Sequence, residues 1–444
     1  MVDVAIYAVG GLLGGIVGGF FVVGVTLLLK ASMELVASQV TWLLITVPLI
    51  GLALTVLVLQ VFAKRDGAQP EPSEAPQRSE RRKRWWTFPR GAVQADITGD
   101  VIATAGQEER FPWRLAPIRT VAIFFTVGLG QAMGTEAPAA YLGSAAGACL
   151  GDRGKRWRRL IRPAALGGGA AGVAALMAIP LMGTAYMIEL GRRHDVPLTV
   201  ERVVAALVGG FVGWGINIGF GLDLIRLVVP KEPPTSIVQA AITAVLIGAL
   251  SGAITAAAAS AIHSAKKWKA SPGFRLGVGV IAAGATAIAL AIIASPSAAV
   301  GPGGAAILWA ENTNANPQTL LVVAVLRAVA TTAAVAAGGC GGVFVPFLAV
   351  GDLSGRVFAP GLGVGSDLAG AAGAAGGIAG GYRLPFTAAA MVLAVGGPRS
   401  SMLTCMVTIV FAYFAGGTVG WVIDRFRRDR DGTVMHPPVA PADA

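Results

Sequence analysis

The sequence predicts an all-α integral membrane protein, because it is too apolar and too poor in charge for a soluble globular enzyme. Of its 444 residues, 55% are hydrophobic and 13% are charged, whereas soluble domains carry about 25% charge. Long apolar runs recur along the chain, for example Val4–Leu29, Trp42–Phe62, Ala164–Ile188 and Ile237–Ile262. Each run reaches the ~20 residues that a helix needs to cross a hydrocarbon core of ~30 Å.

Glycine is the second unusual feature of the composition. The chain has 61 glycines, which is about twice the average usage. Small residues let membrane helices approach closely. They also permit broken helices, provided that the freed backbone is buried in protein or lines a cavity. Close packing alone is the alternative explanation for part of this glycine content.

Positive charge is concentrated in a few short segments. The formal net charge is +11, and the basic segments are Lys64–Arg90, Arg153–Arg162, Lys266–Lys269 and Arg425–Arg430. The positive-inside rule places such loops in the cytoplasm, and therefore both termini as well. Attraction to anionic lipid headgroups follows from the same charges. Nucleic-acid binding is the alternative interpretation, but no folded soluble domain is predicted that would perform it.

The predicted organisation has five segments. Residues 1–63 hold two N-terminal membrane helices, and the first lacks the basic start and short apolar core of a cleaved signal peptide. Residues 64–114 form a basic cytoplasmic linker, whose first part is rich in Pro, Glu and Arg and is predicted to be disordered. Residues 115–229 and 230–424 are two halves of a membrane domain. Residues 425–444 form a short charged tail without room for a regulatory domain.

Neither a metal site nor a cofactor is expected, and no nucleophile motif of an enzyme is present. The cysteines are scattered within apolar segments and are expected to be small packing residues. The histidines are too far apart in sequence to indicate a metal site. These residues are Cys149, Cys340, Cys405, His194, His263 and His436.

An internal repeat relates the two membrane halves. Gly134–Pro138 reads GTEAP and Gly342–Pro346 reads GVFVP, so a glycine precedes a proline by the same spacing in both. After each proline, two glycines recur at matching positions. They are Gly143 and Gly147 in the first half, and Gly351 and Gly355 in the second.

A second pair of matching segments follows in the same order. Ile179–Gly183 and Leu384–Ala388 each contain a proline and lead into a short apolar helix. Two landmarks at similar separations favour a duplicated fold, and chance similarity between Gly- and Ala-rich helices is the alternative. Two-fold repeats are typical of membrane transporters, whose substrates bind at the repeat interface near the bilayer midplane.

The paired segments predict two helix N-termini inside the membrane. Proline suits the first helical turn, so the helices should begin at about residues 137 and 345. The first has roughly 13 residues before Asp152, or roughly 20 Å, which is short of a ~30 Å core. A buried helix N-terminus is an anion site. One terminus contributes at most ~2 kcal/mol, less than the several kcal/mol that anion desolvation costs. The two termini should therefore converge on one cavity.

Glu136 lies just before the first of these helices. A carboxylate within a membrane segment is expensive and indicates a functional site. At an anion-favouring helix end it would occupy the place of a free anion, so Glu136 is predicted to be a tethered competitor, or gate. A helix-capping glutamate without a transport role is the alternative.

These segments resemble the CLC family of chloride channels and proton-coupled chloride transporters. Gly342–Pro346, within Gly341–Gly355, is similar to the family's G-x-F-x-P motif, and Gly134–Pro138 is similar to its G-R-E-G-P motif. The segments that resemble the helices after each motif are Ala178–Glu189 and Arg383–Leu393. The likeness extends from Tyr7 to Val422. It implies an inverted-repeat fold with broken and half-spanning helices, two antiparallel halves per subunit, and a homodimer with one pore in each subunit.

The resemblance also implies roles for individual residues. Glu136 would be the gate. The anion would be held at Gly134, Gly342, Val343, Phe344 and Val345, chiefly by the backbone amides of the last three. The family's anion-binding serine would correspond to Ala92, in the segment Gly91–Ala95.

Four departures from the family pattern bear on mechanism. Thr135 and Ala137 replace an arginine and a glycine beside the gate, and Ala92 has no hydroxyl. The family's anion-contacting tyrosine should fall between 395 and 401, where there is none. The family's transporters have paired glutamates at the end of the helix that contains Pro180, and the second of the pair transfers protons. This chain has Glu189 followed by Leu190 at that place.

The predicted function is that of a chloride-type anion channel or uncoupled anion transporter in a bacterial-type inner membrane. One alternative is a proton-coupled chloride exchanger with a non-standard proton path. Another is a degenerate homologue with a structural or regulatory role. Further intramembrane charges are weaker candidates. Arg327 and Arg383 are expected to snorkel or to bind helix-end carbonyls, and Asp352 and Asp223 are candidate capping residues.

Overall fold

The computed structural model describes residues 2–63, 97–99, 101, 111–152, 155–193, 195–222, 225, 227–359 and 362–430. Most of the linker 64–114 and residues 431–444 of the tail lie outside the described residues. So do Ala92 and Asp223, and their predicted roles stay predictions.

The described residues form helices without a β-sheet, and the predicted all-α class is confirmed. The helices of the N-terminal segment and the first half are α1 (Val2–Ala37), α2 (Thr41–Ala63), α3 (Ala116–Ile123), α4 (Glu136–Gly151), α5 (Ile161–Met177), α6 (Pro180–Arg192) and α7 (Val200–Phe220). A single π-helical turn, Phe124–Gly128, extends α3.

The second half has its first helix at residue 237. Its helices are α8 (Ile237–Lys267), α9 (Pro272–Ile293), α10 (Gly304–Asn312), α11 (Pro317–Ala337), α12 (Phe344–Arg356), α13 (Ser366–Gly377), α14 (Pro385–Val395) and α15 (Arg399–Arg430). A π-helical turn, Ile378–Tyr382, follows α13. Among the described residues, eight helical segments are long and apolar enough to cross a membrane.

Four of the eight long helices begin at polar residues that cap them. The side chains of the capping residues accept a hydrogen bond from the backbone N–H three positions later, which satisfies one of the helix's unpaired donors. The capping residues are Thr199, Ser236, Ser271 and Asn316. By contrast, α4 and α12 have no side-chain cap at their N-termini, although both starts are buried.

The glycines that match between the halves perform the same packing function in each. In the first half α4 packs on α5, and in the second α12 packs on α13. A Cβ at Gly143 would lie 2.1 Å from the carbonyl oxygen of Gly168, and one at Gly351 would lie 2.2 Å from that of Gly373. The glycine one turn later in each half makes the same close approach. The repeat predicted from sequence is therefore present in the packing.

The other intramembrane charged residues, Arg327, Arg383 and Asp352, make structural contacts of different kinds. Arg327 is fully buried and donates to the carbonyls of three residues, at 2.5 to 3.3 Å, as predicted. Arg383 donates to the carbonyl of Tyr413 and covers its ring. The prediction that Asp352 caps a helix is wrong. Asp352 lies in the third turn of α12 and forms a buried ion pair with Arg356, at 2.7 Å.

Candidate anion site

The starts of α4 and α12 meet at the centre of the fold. The backbone N–H of Gly134 donates to the carbonyl of Gly342 at 2.7 Å, and the N–H of Gly342 donates back to Gly134 at 2.8 Å. The helices begin at Glu136 and Phe344, within one residue of the predicted positions. The predicted convergence of the two N-termini is confirmed, and α4 is 16 residues long, or about 24 Å, still shorter than a ~30 Å core.

The two glycines make this meeting sterically possible. A Cβ at Gly134 would lie 2.5 Å from a carboxylate oxygen of Glu136 and 3.1 Å from the ring of Pro346. A Cβ at Gly342 would lie 3.1 Å from the backbone nitrogen of Ala137. A larger residue at either position would push the two helix starts apart.

The carboxylate of Glu136 crosses from its own helix to the N-terminus of the other. Its Oε2 atom accepts a hydrogen bond from the backbone N–H of Val345 at 3.3 Å, and its Oε1 atom accepts one from the Thr135 hydroxyl at 3.2 Å. Glu136 is fully buried. A carboxylate of this chain therefore holds a donor that the N-terminus of α12 would otherwise offer to a free anion.

The first turn of α12 has the chemistry of an anion site. Gly342, Phe344 and Val345 are buried, and Val343 is partly exposed. The N–H groups at a helix start have no intrahelical acceptor, and the helix dipole is positive there. The structure thus brings the predicted residues Gly134, Glu136 and 342–345 into one site, while Ala92 lies outside the described residues.

A cavity of about 540 Å³ leads from the protein surface to this turn. Val343 lies in its wall, together with Arg193, Lys266, Arg275 and His263. A cleft lined by one sign of charge raises the local concentration of the opposite ion. We refer to this cavity as the cationic vestibule. Its charged residues come from α8, α9 and the end of α6. They were not predicted from the sequence to belong to the site.

Two tyrosines that the sequence analysis missed surround Phe344. The ring of Tyr186, on α6, lies 6.0 Å from that of Phe344, and the ring of Tyr382 lies 5.7 Å from it. Tyr382 also lines the cationic vestibule. The absence of a tyrosine between 395 and 401 therefore does not deprive the site of phenolic groups. The chain has only five tyrosines, and a tyrosine within an apolar helix after the first motif was the available signal.

Glu189 has a different environment from Glu136. Its carboxylate accepts hydrogen bonds from the backbone N–H groups of Phe386 and Thr387, at 2.8 and 2.6 Å, and from the Thr387 hydroxyl at 2.5 Å. It therefore caps the N-terminus of α14. The adjacent Leu190 is buried and apolar, as the sequence analysis noted.

A duplicated helical membrane fold with two buried helix starts that meet is typical of an anion-transport protein. Residues 84–417 match the family described as voltage gated chloride channel, and the chain belongs to this CLC family. The family resemblance seen in the sequence is confirmed. Members of the family are transporters or channels for anions.

Individual relatives are distant in sequence but similar along most of the chain. The H(+)/Cl(-) exchange transporter ClcA of Klebsiella pneumoniae subsp. pneumoniae is 26% identical over 328 residues, which cover 69% of this chain and 67% of the relative. The crystal structure of a CLC-type fluoride/proton antiporter has a TM-score of 0.69 at 21% identity, covering 94% of this chain and 96% of that one.

A slow cyanobacterial Cl-/H+ antiporter is similar to the same extent. Its crystal structure has a TM-score of 0.68 at 18% identity and covers 97% of this chain and 98% of its own. At these identities the two structural matches establish the fold, and the fold class predicted from the sequence is confirmed.

Proposed function

We propose that this protein carries chloride or a similar small anion through the site at the start of α12, and that Glu136 gates this path. The observation that carries the proposal is the hydrogen bond from the Val345 N–H to the Glu136 carboxylate, at 3.3 Å. A carboxylate and a free anion compete for the same donors. When Glu136 leaves, by protonation or by rotation, an anion from the cationic vestibule takes its place.

We further propose that transport is not coupled to protons at a fixed ratio. Coupled exchange needs a titratable group that protons reach from the inner solution. Leu190 carries no proton, and all three hydrogen bonds described for Glu189 tie it to α14. Asp352 is committed to its ion pair with Arg356. These contacts leave Glu136 as the carboxylate at the proposed anion path.

Proton-coupled exchange is the second candidate function. It is favoured by the similar proteins, which are a proton/chloride exchanger and two proton antiporters. A water chain in place of a second carboxylate would be needed for this mechanism.

The deciding experiment is anion efflux from liposomes that contain the purified protein. Chloride, fluoride and nitrate are compared with protein-free liposomes, and the membrane voltage is set by potassium and valinomycin. We expect efflux above the protein-free control, with chloride among the permeant ions. Absence of efflux for all three anions would favour a degenerate homologue that does not transport.

Coupling is tested in the same liposomes with a pH-sensitive dye inside. A chloride gradient is imposed while the voltage is clamped. We expect no uphill proton movement. Proton movement against its gradient at a fixed ratio to chloride would replace the uncoupled mechanism with the exchanger.

The proposal also covers the assembly of the protein and its location in the cell. We expect a homodimer in the bilayer of a bacterial-type inner membrane, with both termini in the cytoplasm and without nucleic-acid binding. Cross-linking of the purified protein in lipid tests the homodimer. Protease access to a C-terminal tag in oriented membranes tests the location of the C-terminus.

A further inference from the structure

The hydroxyl of Tyr186 is a buried donor without a partner. Tyr186 is fully buried in α6, and no described residue meets hydrogen-bonding geometry with its oxygen, although the phenol of Tyr382 lies close by. Buried polar groups are nearly always hydrogen-bonded, so an exception needs an explanation. An unfilled place for a ligand beside this hydroxyl is one such explanation.

The surroundings of Tyr186 indicate where that ligand lies. Its ring contacts Phe344, the first residue of α12, edge to face with the planes at 77°. Its ring also contacts Tyr382, at 6.5 Å between centroids. Glu136, and Arg193 in the vestibule wall, are both within electrostatic range of the phenol. Tyr186 therefore lies near the proposed gate and in contact with Tyr382, a residue of the vestibule wall.

The chemistry of the neighbouring groups indicates what the ligand is. The first turn of α12 offers backbone N–H donors, and the vestibule offers cations. A phenol that joins these donors completes a site for a hydrogen-bond acceptor with negative charge. Because the phenol donates a single directed bond, it favours compact strong acceptors, such as chloride and fluoride, over the diffuse charge of nitrate.

We propose that the Tyr186 hydroxyl is a direct ligand of the transported anion and a determinant of its selectivity. This proposal rests on the proposed function, since it assigns one more donor to the same site. The hydroxyl binds the anion from the side of α6, while the N–H groups of α12 bind it along the helix axis.

Tyr141 provides a matched control for this proposal. It is also fully buried, and its oxygen likewise meets hydrogen-bonding geometry with no described residue, although Arg119 lies close by. Its ring, however, contacts Phe111 at 5.4 Å and lies 5.0 Å from the guanidinium of Arg119. Tyr141→Phe therefore removes the same atom from a similar environment outside the proposed site.

The experiment compares Tyr186→Phe and Tyr141→Phe with the wild type. Chloride binding is measured by calorimetry on the purified protein, and efflux of chloride, fluoride and nitrate is measured in liposomes. We expect Tyr186→Phe to weaken chloride binding by about ten-fold, as for the loss of one hydrogen bond to a charged group. Its preference for chloride and fluoride over nitrate should fall, while Tyr141→Phe should match the wild type.

A stability measurement separates a ligand role from a packing role. Without chloride, Tyr186→Phe should melt at the same temperature as the wild type or higher, because it removes an unpaired buried oxygen. Added chloride should raise the melting temperature of the wild type more than that of the variant.

The outcomes distinguish this proposal from the proposed function. If the wild type moves anions and Tyr186→Phe binds and selects them equally well, the hydroxyl is not a ligand and only this inference fails. If Tyr186→Phe melts lower while its chloride dependence is unchanged, the phenol is a packing group and the inference again fails. If the wild type neither binds nor moves any of the three anions, both proposals fail.

Discussion

Two buried glutamates of the first half reach helix N-termini of the second half, and they differ in how they are held. Glu136 accepts hydrogen bonds from the backbone N–H of Val345 and from the hydroxyl of Thr135, at 3.3 and 3.2 Å. Glu189 accepts two backbone bonds and one hydroxyl bond, at 2.8, 2.6 and 2.5 Å. The two helices they contact, α12 and α14, begin at Phe344 and Pro385.

The surroundings of the two carboxylates differ as well. Val343, which precedes the first residue of α12, lines the cationic vestibule. A free anion therefore has a route to the donors that Glu136 occupies. No residue at the start of α14 lines that vestibule among those described. The same residue type at the same kind of helix end is therefore suited to be a displaceable gate in one place and a permanent cap in the other. The length of its hydrogen bonds and the access of a competing anion decide between these two roles.

The largest expected effect is on stability, from Glu189→Ala. The change leaves two backbone N–H groups and the Thr387 hydroxyl without their acceptor, and each buried unpaired donor costs about 1–3 kcal/mol. We expect the apparent free energy of unfolding in detergent to fall by about 2–4 kcal/mol. Efflux per folded protein should keep its pH dependence. If stability is unchanged and the pH dependence is lost instead, the roles given to the two glutamates are reversed.

The next effect is on flux, from Glu136→Gln and Glu136→Ala. A neutral or absent side chain competes less well with an anion for the positive end of α12, an interaction of ~1–2 kcal/mol. Anion efflux at neutral pH should therefore rise by about ten-fold. In the wild type, efflux should rise as the pH falls, because protonation neutralises the competitor, and both variants should lose most of this dependence. Wild-type efflux and pH response in both variants would make Glu136 a structural cap.

The smallest effect compares the two hydroxyls that assist the carboxylates. Thr135→Val removes the hydroxyl bond to Glu136, worth ~0.5–1.5 kcal/mol, so efflux at neutral pH should rise by about two- to ten-fold and remain pH-dependent. Thr387→Val makes the same chemical change at Glu189 and should leave efflux unaltered. Equal changes in both variants would mean that the two carboxylates do not differ in function.

Much of the fold and the centre of the site could be predicted from sequence, because both depend on local patterns. Membrane-spanning runs follow from composition and length. The two buried helix starts follow from a glycine and a proline at the same spacing, and the matching glycines are needed because their helices touch backbone to backbone. Glu136 was predicted as a functional residue because a carboxylate in a membrane segment is energetically costly.

Other residues of the site could not be predicted, because they are distant in sequence and meet only in the folded chain. Tyr186 and Tyr382 reach Phe344 from different helices. Arg193 and Arg275 enter the vestibule from the ends of helices whose sequences look like ordinary membrane boundaries. The capping role of Asp352 was predicted wrongly because its partner Arg356 lies one turn later on the same buried helix, where pairing competes with capping.

The sequence by itself determined that this is a duplicated helical membrane protein of the CLC family with a carboxylate at an anion-favouring helix end. Those properties depend on hydrophobic length, on steric freedom at glycine and on the fixed direction of the helix dipole, which all act over a few residues. Only the tertiary structure decided that Glu136 sits on the N–H of Val345 while Glu189 caps α14. Hydrogen bonds and burial depend on which helices pack together, and a carboxylate acquires its role from those neighbours.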